Sequence, residues 1–225
     1  EYYPTADGAG SATTTTADQS PVTSASGTSV STSVTGLLAN TEYTAEVIAT
    51  TDEGTTRGGT QTFTTGNTDP AFTQATSSES VPENSTGAVF DFDANDGDGG
   101  ADDTSVSYVL GGTDAAPFSI DANTGTLTLD SALDFESPSD GDTNNDYELT
   151  VTANDGESNN NTTTATVTVS VTNVNEAPVV ATNSRLTLNE GATQTIGTGA
   201  LSATDEDAGD GAPSLTFSVT SGPAN

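Results

Sequence analysis

Residues 164–174 read TATVTVSVTNV, with Ala165, Val167, Val169 and Val171 alternating with Thr and Ser. Alternation of period two, with β-branched residues on both faces, predicts a strand with one face buried. YELTVTAND at 147–155 repeats the pattern, placing Tyr147, Leu149, Val151 and Ala153 inward. Shorter alternating runs predict strands at 41–49 (TEYTAEVIA), 88–92, 118–129, 184–191 (SRLTLNEG) and 215–219 (LTFSV). Inside 118–129, Asn123-Thr124-Gly125 predicts a hairpin turn, because glycine takes a positive φ without steric cost. Tyr43, Phe63, Phe90, Phe118, Phe135, Tyr147 and Phe217 fall mostly on inward positions, which favours core packing over a sugar-binding platform. Helical periodicity is absent.

Short strands at intervals of about 8–12 residues, separated by Gly, Asn, Asp and Ser clusters, predict β-sandwiches. The expected fold class is all-β: tandem immunoglobulin-like Greek-key β-sandwich modules in an elongated array. Polar, proline-bearing linkers at 64–72 and 172–180 divide the chain into 1–66, 67–176 and 177–225. A sandwich needs about 100 residues, so only the middle segment is long enough, and the outer two are expected to be partial modules of a longer protein.

Charge changes the picture. The 225 residues carry 33 Asp+Glu against 2 Lys+Arg, a formal charge of −31, with no lysine, histidine or cysteine. Such a chain is not expected to bind nucleic acid or anionic lipid. Without histidine or cysteine there is no Ser–His–Asp or Cys–His pair and no imidazole or thiolate zinc site, and without lysine no Schiff base or phosphate loop. Only carboxylate chemistry stays open, and no enzyme is expected. No apolar run approaches the roughly 20 residues of a membrane helix, so no membrane insertion is expected in this segment.

The position of the carboxylates decides between solvation and cation binding. ATTDEG (49–54), ANDGDGG (94–100), ANDGES (153–158) and ATDEDAG (203–209) each put acidic residues directly after an apolar-patterned strand. Charge that only solvates is scattered over strand faces; charge gathered at strand ends favours cation sites. In LDFE (133–136), strand geometry would point Asp134 and Glu136 the same way, roughly 7 Å apart, where they repel unless a cation lies between them. Read instead as a glycosidase pair, they lack any visible device for raising a pKa. The acidic run at 93–103 is no EF-hand: counted from Asp91, Asp96 stands at the glycine position and Asp102 at the closing glutamate. The sequons at Asn84, Asn160 and Asn161 are of a kind that arises by chance in a chain rich in Thr and Asn.

The middle segment resembles a cadherin repeat. Its landmarks run in order: PEN (82–84), ANDGDGG, FSIDANTGTLTL, LDFE, YELTVTANDG and the linker NVNEAP (173–178). Residues 1–66 resemble the latter part of a fibronectin type III module, and 177–225 the start of a chondroitin-sulfate-proteoglycan-type, cadherin-like repeat. The resemblance implies calcium, held between consecutive modules. Carried over, the exit end of the middle segment would use Glu83, Asp134, Glu136, Asn173, Asn175 and Glu176, closed by Asp205 and Asp207 from the next module. The entry end would use Asp96, Asp98 and Asp155, facing a linker, GNTDP (66–70), with only Asp69 and Asn67 to offer. Asn173 stands where the family usually has aspartate, which implies affinities near the extracellular-module range of about 10⁻⁴–10⁻³ M.

The expected function is therefore a calcium-rigidified structural or adhesive segment of an extracellular multimodular surface protein or filament. Its expected partners are neighbouring modules of the same chain, with homophilic or head-to-tail self-association between chains. Two alternatives stay open: a spacer for, or part of, a sugar- or receptor-binding adhesin, and an acidic salt-adapted surface-layer protein without specific calcium sites.

Overall fold

The computed structural model describes residues 1–23, 26–96, 98, 106–157, 159, 161–207 and 215–218. Sequon residue Asn160, Val219 and most of 97–105 lie outside the described residues. The described chain is all-β, apart from a 3-10 turn at Ala9–Ser11. In the first segment, β1 (Tyr2–Pro4), β2 (Glu42–Ala45) and β5 (Gln61–Thr64) form one sheet, while β3 (Ile48–Thr51) and β4 (Gly54–Arg57) form a hairpin.

The middle segment holds β6 (Ala71–Phe72), β7 (Thr76–Pro82), β8 (Gly87–Asp91), β9 (Ala94–Asn95), β10 (Ser107–Gly111), β11 (Phe118–Ile120), β12 (Thr126–Leu129), β13 (Asp146–Asn154) and β14 (Thr162–Thr172). One sheet runs β10-β13-β14-β7 and a second β11-β12-β8. β13 and β14 pair antiparallel over nine positions, while β7 lies parallel to β14. After the linker, β15 (Val179–Asn183) pairs with β16 (Leu201–Thr204).

The inward positions of β13 and β14 form the floor of the core. Tyr147, Leu149, Val151, Ala153, Ala165, Val167, Val169 and Val171 are all buried, and Leu127, Leu129 and Phe118 of the opposite sheet, with Phe92 just after β8, join them in the core. Phe118 meets Tyr147 edge-on at 5.7 Å, a favourable aromatic geometry. The turn between β11 and β12 requires glycine twice over: Gly125 has φ +74°, and a Cβ there would stand 2.2 Å from the Phe92 carbonyl oxygen.

Several expectations fail outside this sandwich. Residues 41–49 are not one strand; the chain leaves β2 after Ala45 and changes sheet, and Val47 is 67% exposed. The run at 184–191 forms no strand, nor do 215–218, and Leu186, Leu188 and Phe217 are exposed. Alternation expresses a strand only where a second sheet receives its apolar face, and no described sheet does so there. Phe63 is also exposed, stacked at 5.8 Å on Tyr43 rather than sunk in a core.

Candidate metal centre

β7 and β14 run in parallel and end side by side, and the chain just beyond β7 is tied down on both sides. Glu83 donates its backbone N–H to the Thr172 carbonyl at 3.0 Å, and Asn84 donates to Leu133 at 2.9 Å. Asn84 takes φ +59°, which asparagine tolerates better than most residues. This turn brings Glu83 beneath both the 133–136 stretch and the exit linker. Its side chain is buried, with Oε2 accepting from the Phe135 N–H at 2.8 Å and Oε1 from the Val174 N–H at 2.7 Å.

Two further carboxylates converge on it. Among the described residues, Glu83, Glu136 and Glu176 form the one group of three acidic side chains whose oxygens lie within 4.8 Å of one another. Asn173 donates to Glu136 Oε1 at 2.7 Å and to Asp207 Oδ1 at 3.0 Å; Asn84 donates to Glu176 Oε1 at 2.7 Å. Asp207, almost fully buried, also accepts the Glu176 N–H at 2.7 Å, which ties the turn after β16 to the linker. Glu136 Oε2, Glu176 Oε2 and Asp205 Oδ1 are buried with no hydrogen-bond partner among the described residues.

Among the described residues, no ion pair with arginine reaches this cluster. Arg57 is committed to Glu1 at 2.9 Å and Glu46 at 2.5 Å, in the first segment. Loss of hydration and then the charges of Glu83, Asp207 and Glu176 push the Glu136 carboxyl above its ordinary value. Loss of hydration, then Glu83, Asp207 and Glu206, do the same to Glu176. Buried carboxylate oxygens without donors, crowded by like charge, fit a hard cation that takes oxygen ligands. The cluster can hold a metal ion.

Other expected ligands stand elsewhere. Residues 133–136 are not a strand, so the same-face argument for Asp134 and Glu136 does not apply. Asp134 is exposed and accepts the Ser137 N–H at 2.9 Å in its own turn, outside the three-carboxylate group. Asn175 is exposed and turns its amide to the Glu176 carbonyl at 3.0 Å.

At the entry end, Asp96, Asp98 and Asp155 are buried, and nearby donors reach them. Thr68 gives Asp98 Oδ1 both its N–H at 3.0 Å and its hydroxyl at 2.6 Å, and Asp96 Oδ1 accepts the Asp98 N–H at 3.0 Å. Asp155 accepts from the Asn67 amide at 3.1 Å and the Glu157 N–H at 2.9 Å. Asp69 is exposed, so the linker acts there through Asn67 and Thr68. Sequence reasoning missed Thr68, and only its place beside an aspartate-rich strand end could have drawn notice.

The family model described as Cadherin domain matches residues 77–172. The chain is similar, at 43% identity over 61 residues, to Halomucin of Haloquadratum walsbyi (strain DSM 16790 / HBSQ001), a match covering 27% of this chain and 1% of that protein's length. Among solved structures it is similar to human CDH23 EC21-23 (TM-score 0.48, 18% identity, 73% of this chain and 54% of that one). It is also similar to Drosophila N-cadherin EC1-4 (TM-score 0.46, 23% identity, 80% and 44%). Residues 77–172, within the middle segment, thus match a cadherin domain, a family of adhesion-type extracellular modules. The match does not extend to the flanks, so the fibronectin type III-like reading of 1–66 gains no support from it. Among the described residues, no helix is long and apolar enough to cross a membrane.

Proposed function

We propose that this chain is a calcium-stiffened structural or adhesive stretch of a large extracellular surface protein, with 1–66, 67–176 and 177–225 as successive modules. The observation that carries this reading is the convergence of Glu83, Glu136 and Glu176 from three separate stretches of chain, with two of their oxygens buried and undonated. Calcium at that point would be held by these three carboxylates, with Asp205, Asp207 and the carbonyl oxygen of the Asn173 amide within the same network and Asp134 at its edge. The ion would supply positive charge where the protein has none. Since Asp205 and Asp207 follow β16 while Glu83 follows β7, binding would fix the cadherin domain against the segment after it. The calcium-holding residues of the entry end, on this reading, would be Asp96, Asp98 and Asp155, already served by hydrogen-bond donors and so the weaker site. The likeness to Halomucin, spanning 1% of that protein's length, supports a place in a much longer chain.

The test is a thermal melt of the 225-residue chain with chelator, with millimolar calcium, and with matched magnesium or sodium chloride. A transition that rises with calcium alone supports the proposal; an equal response to bulk salt points to acidity as a solvation device. Small-angle scattering then asks whether calcium narrows the distribution of angles between modules. Glu136→Ala should abolish that narrowing, and a distribution unchanged by the variant would count against the mechanism.

A further inference from the structure

Four residues after Glu136, and outside the three-carboxylate group, one buried aspartate remains half unsatisfied. Asp140, in the loop before β13, is only 5% exposed. Its Oδ2 accepts the Asn144 N–H at 2.8 Å, across the loop, which turns the carboxylate towards the loop interior. Its Oδ1 is buried with no partner among the described residues, and so is Oδ1 of Asn145 in the same loop. A buried carboxylate oxygen without a donor is costly, and a native structure tolerates one where an ion or water completes it.

The surrounding sequence supplies oxygen at alternate positions: Asp140, Asp142, Asn144 and Asp146. A single-loop calcium site has this layout, with side-chain oxygens at its first, third and fifth residues and a left-handed sixth, normally glycine. Counted from Asp140, the sixth residue is Asn145, and it has φ +68°. The loop is anchored from outside itself: Asp114, beyond β10, accepts the Gly141 N–H at 2.9 Å and the Glu148 N–H at 3.0 Å. The twelfth residue, where such loops carry a bidentate glutamate, is Val151, fully buried in the core.

We infer that the loop 140–146 is a further divalent-cation site, inside the cadherin domain rather than between modules, formed by Asp140, Asp142 and Asn144 around the undonated Asp140 oxygen. Calcium suits it better than magnesium, because a loop without a closing glutamate offers irregular oxygen ligands that the larger ion accepts. The missing glutamate makes the site weak. Its occupant would hold the β13 entry against the loop and leave the module junction unaffected.

Terbium luminescence and calcium calorimetry test this on the 225-residue chain. Tyr147 accepts the Ser139 N–H at 3.1 Å beside the loop, so its ring can sensitise terbium bound there. The background is Glu136→Gln/Glu176→Gln, which strips the junction of two carboxylates. In that background, terbium emission and calcium heat should persist, and Asp142→Asn should weaken both about tenfold or more. Asp140→Asn should remove the share of both that the loop supplies, leaving only what Asp96, Asp98 and Asp155 bind; since it alters a buried group, the exposed Asp142 provides the variant that keeps the fold. Absence of any signal in the background chain overturns the inference, as does a signal that neither loop substitution changes. Failure of the junction mechanism would instead appear as scattering insensitive to calcium, with the terbium result intact.

Discussion

The two ends of the cadherin domain carry the same kind of residue and resolve it in opposite ways. At the entry end, Asp98 and Asp155 are buried beside donors from Thr68 and Asn67, and their charge is absorbed by hydrogen bonds. At the exit end, Glu136 and Glu176 face Glu83 and Asp207 and keep undonated oxygens. Acidic residues at strand ends therefore do not by themselves define a cation site. What separates the two ends is that the exit linker adds the Glu176 carboxylate, and its donors from Asn173, Val174 and Glu176 leave Glu136 Oε2 and Glu176 Oε2 undonated.

Substitutions at each end can break or sharpen this contrast. The largest effect is expected from Glu83→Ala, which removes the acceptor of two partly buried N–H groups, those of Phe135 and Val174. Charge-assisted bonds of this kind make the loss about 3 kcal/mol, read by urea unfolding in chelator. Next, calcium at tenfold excess over its dissociation constant should add about 1.4 kcal/mol per site. Calorimetric melts should show the junction's share of that increment vanish in Glu136→Gln/Glu176→Gln and stay whole in Thr68→Ala. Thr68→Ala itself should cost about 1 kcal/mol in chelator, because it removes the hydroxyl bond to Asp98. An increment that shrinks in Thr68→Ala would mean that the ends are coupled.

The smallest effect is that of pH. In chelator, Glu136 and Glu176 titrate above the ordinary value of 4.5 in the folded chain, so folding favours their protonated forms. The stability they contribute is complete below the unfolded value and is lost as pH rises from there through the raised folded values. Melting temperature compared between the parent chain and Glu136→Gln/Glu176→Gln should diverge as pH climbs across that interval. Calcium should reverse the trend, since protons and the cation compete for the same oxygens.

The β13–β14 floor was legible because each strand lies in the interior of its sheet and buries one whole face, so period two survives intact in Tyr147 to Ala153 and Ala165 to Val171. The carboxylate cluster was legible in residue type: Glu83, Glu136 and Glu176 all stood among the expected ligands. Its geometry was not, because the 133–136 stretch takes its shape from backbone bonds to Glu83 and from the Asp134 turn rather than from alternation. Alternation also misled at 41–49, where the chain changes sheet without changing its pattern, and at 184–191, where Leu186 and Leu188 find no opposing sheet. The Asp140 loop was missed, because D-x-D-x-N-x-D in sequence is indistinguishable from a solvated turn and only burial of an undonated oxygen sets it apart.

The parallel pairing of β7 with β14 has a mechanical meaning. The chain enters the domain through the short β6 and then β7 and leaves it at the end of β14, and β7 and β14 are in register from Thr166↔Thr76 to Thr172↔Pro82. A pull on the chain drags these neighbours in opposite directions along their common axis. The rungs between them are then loaded in shear, all at once, instead of being peeled apart one after another. A surface protein stretched by flow or by an attached cell would thus meet its resistance at this seam, and a cation at the exit end would clamp the point where the load leaves the domain.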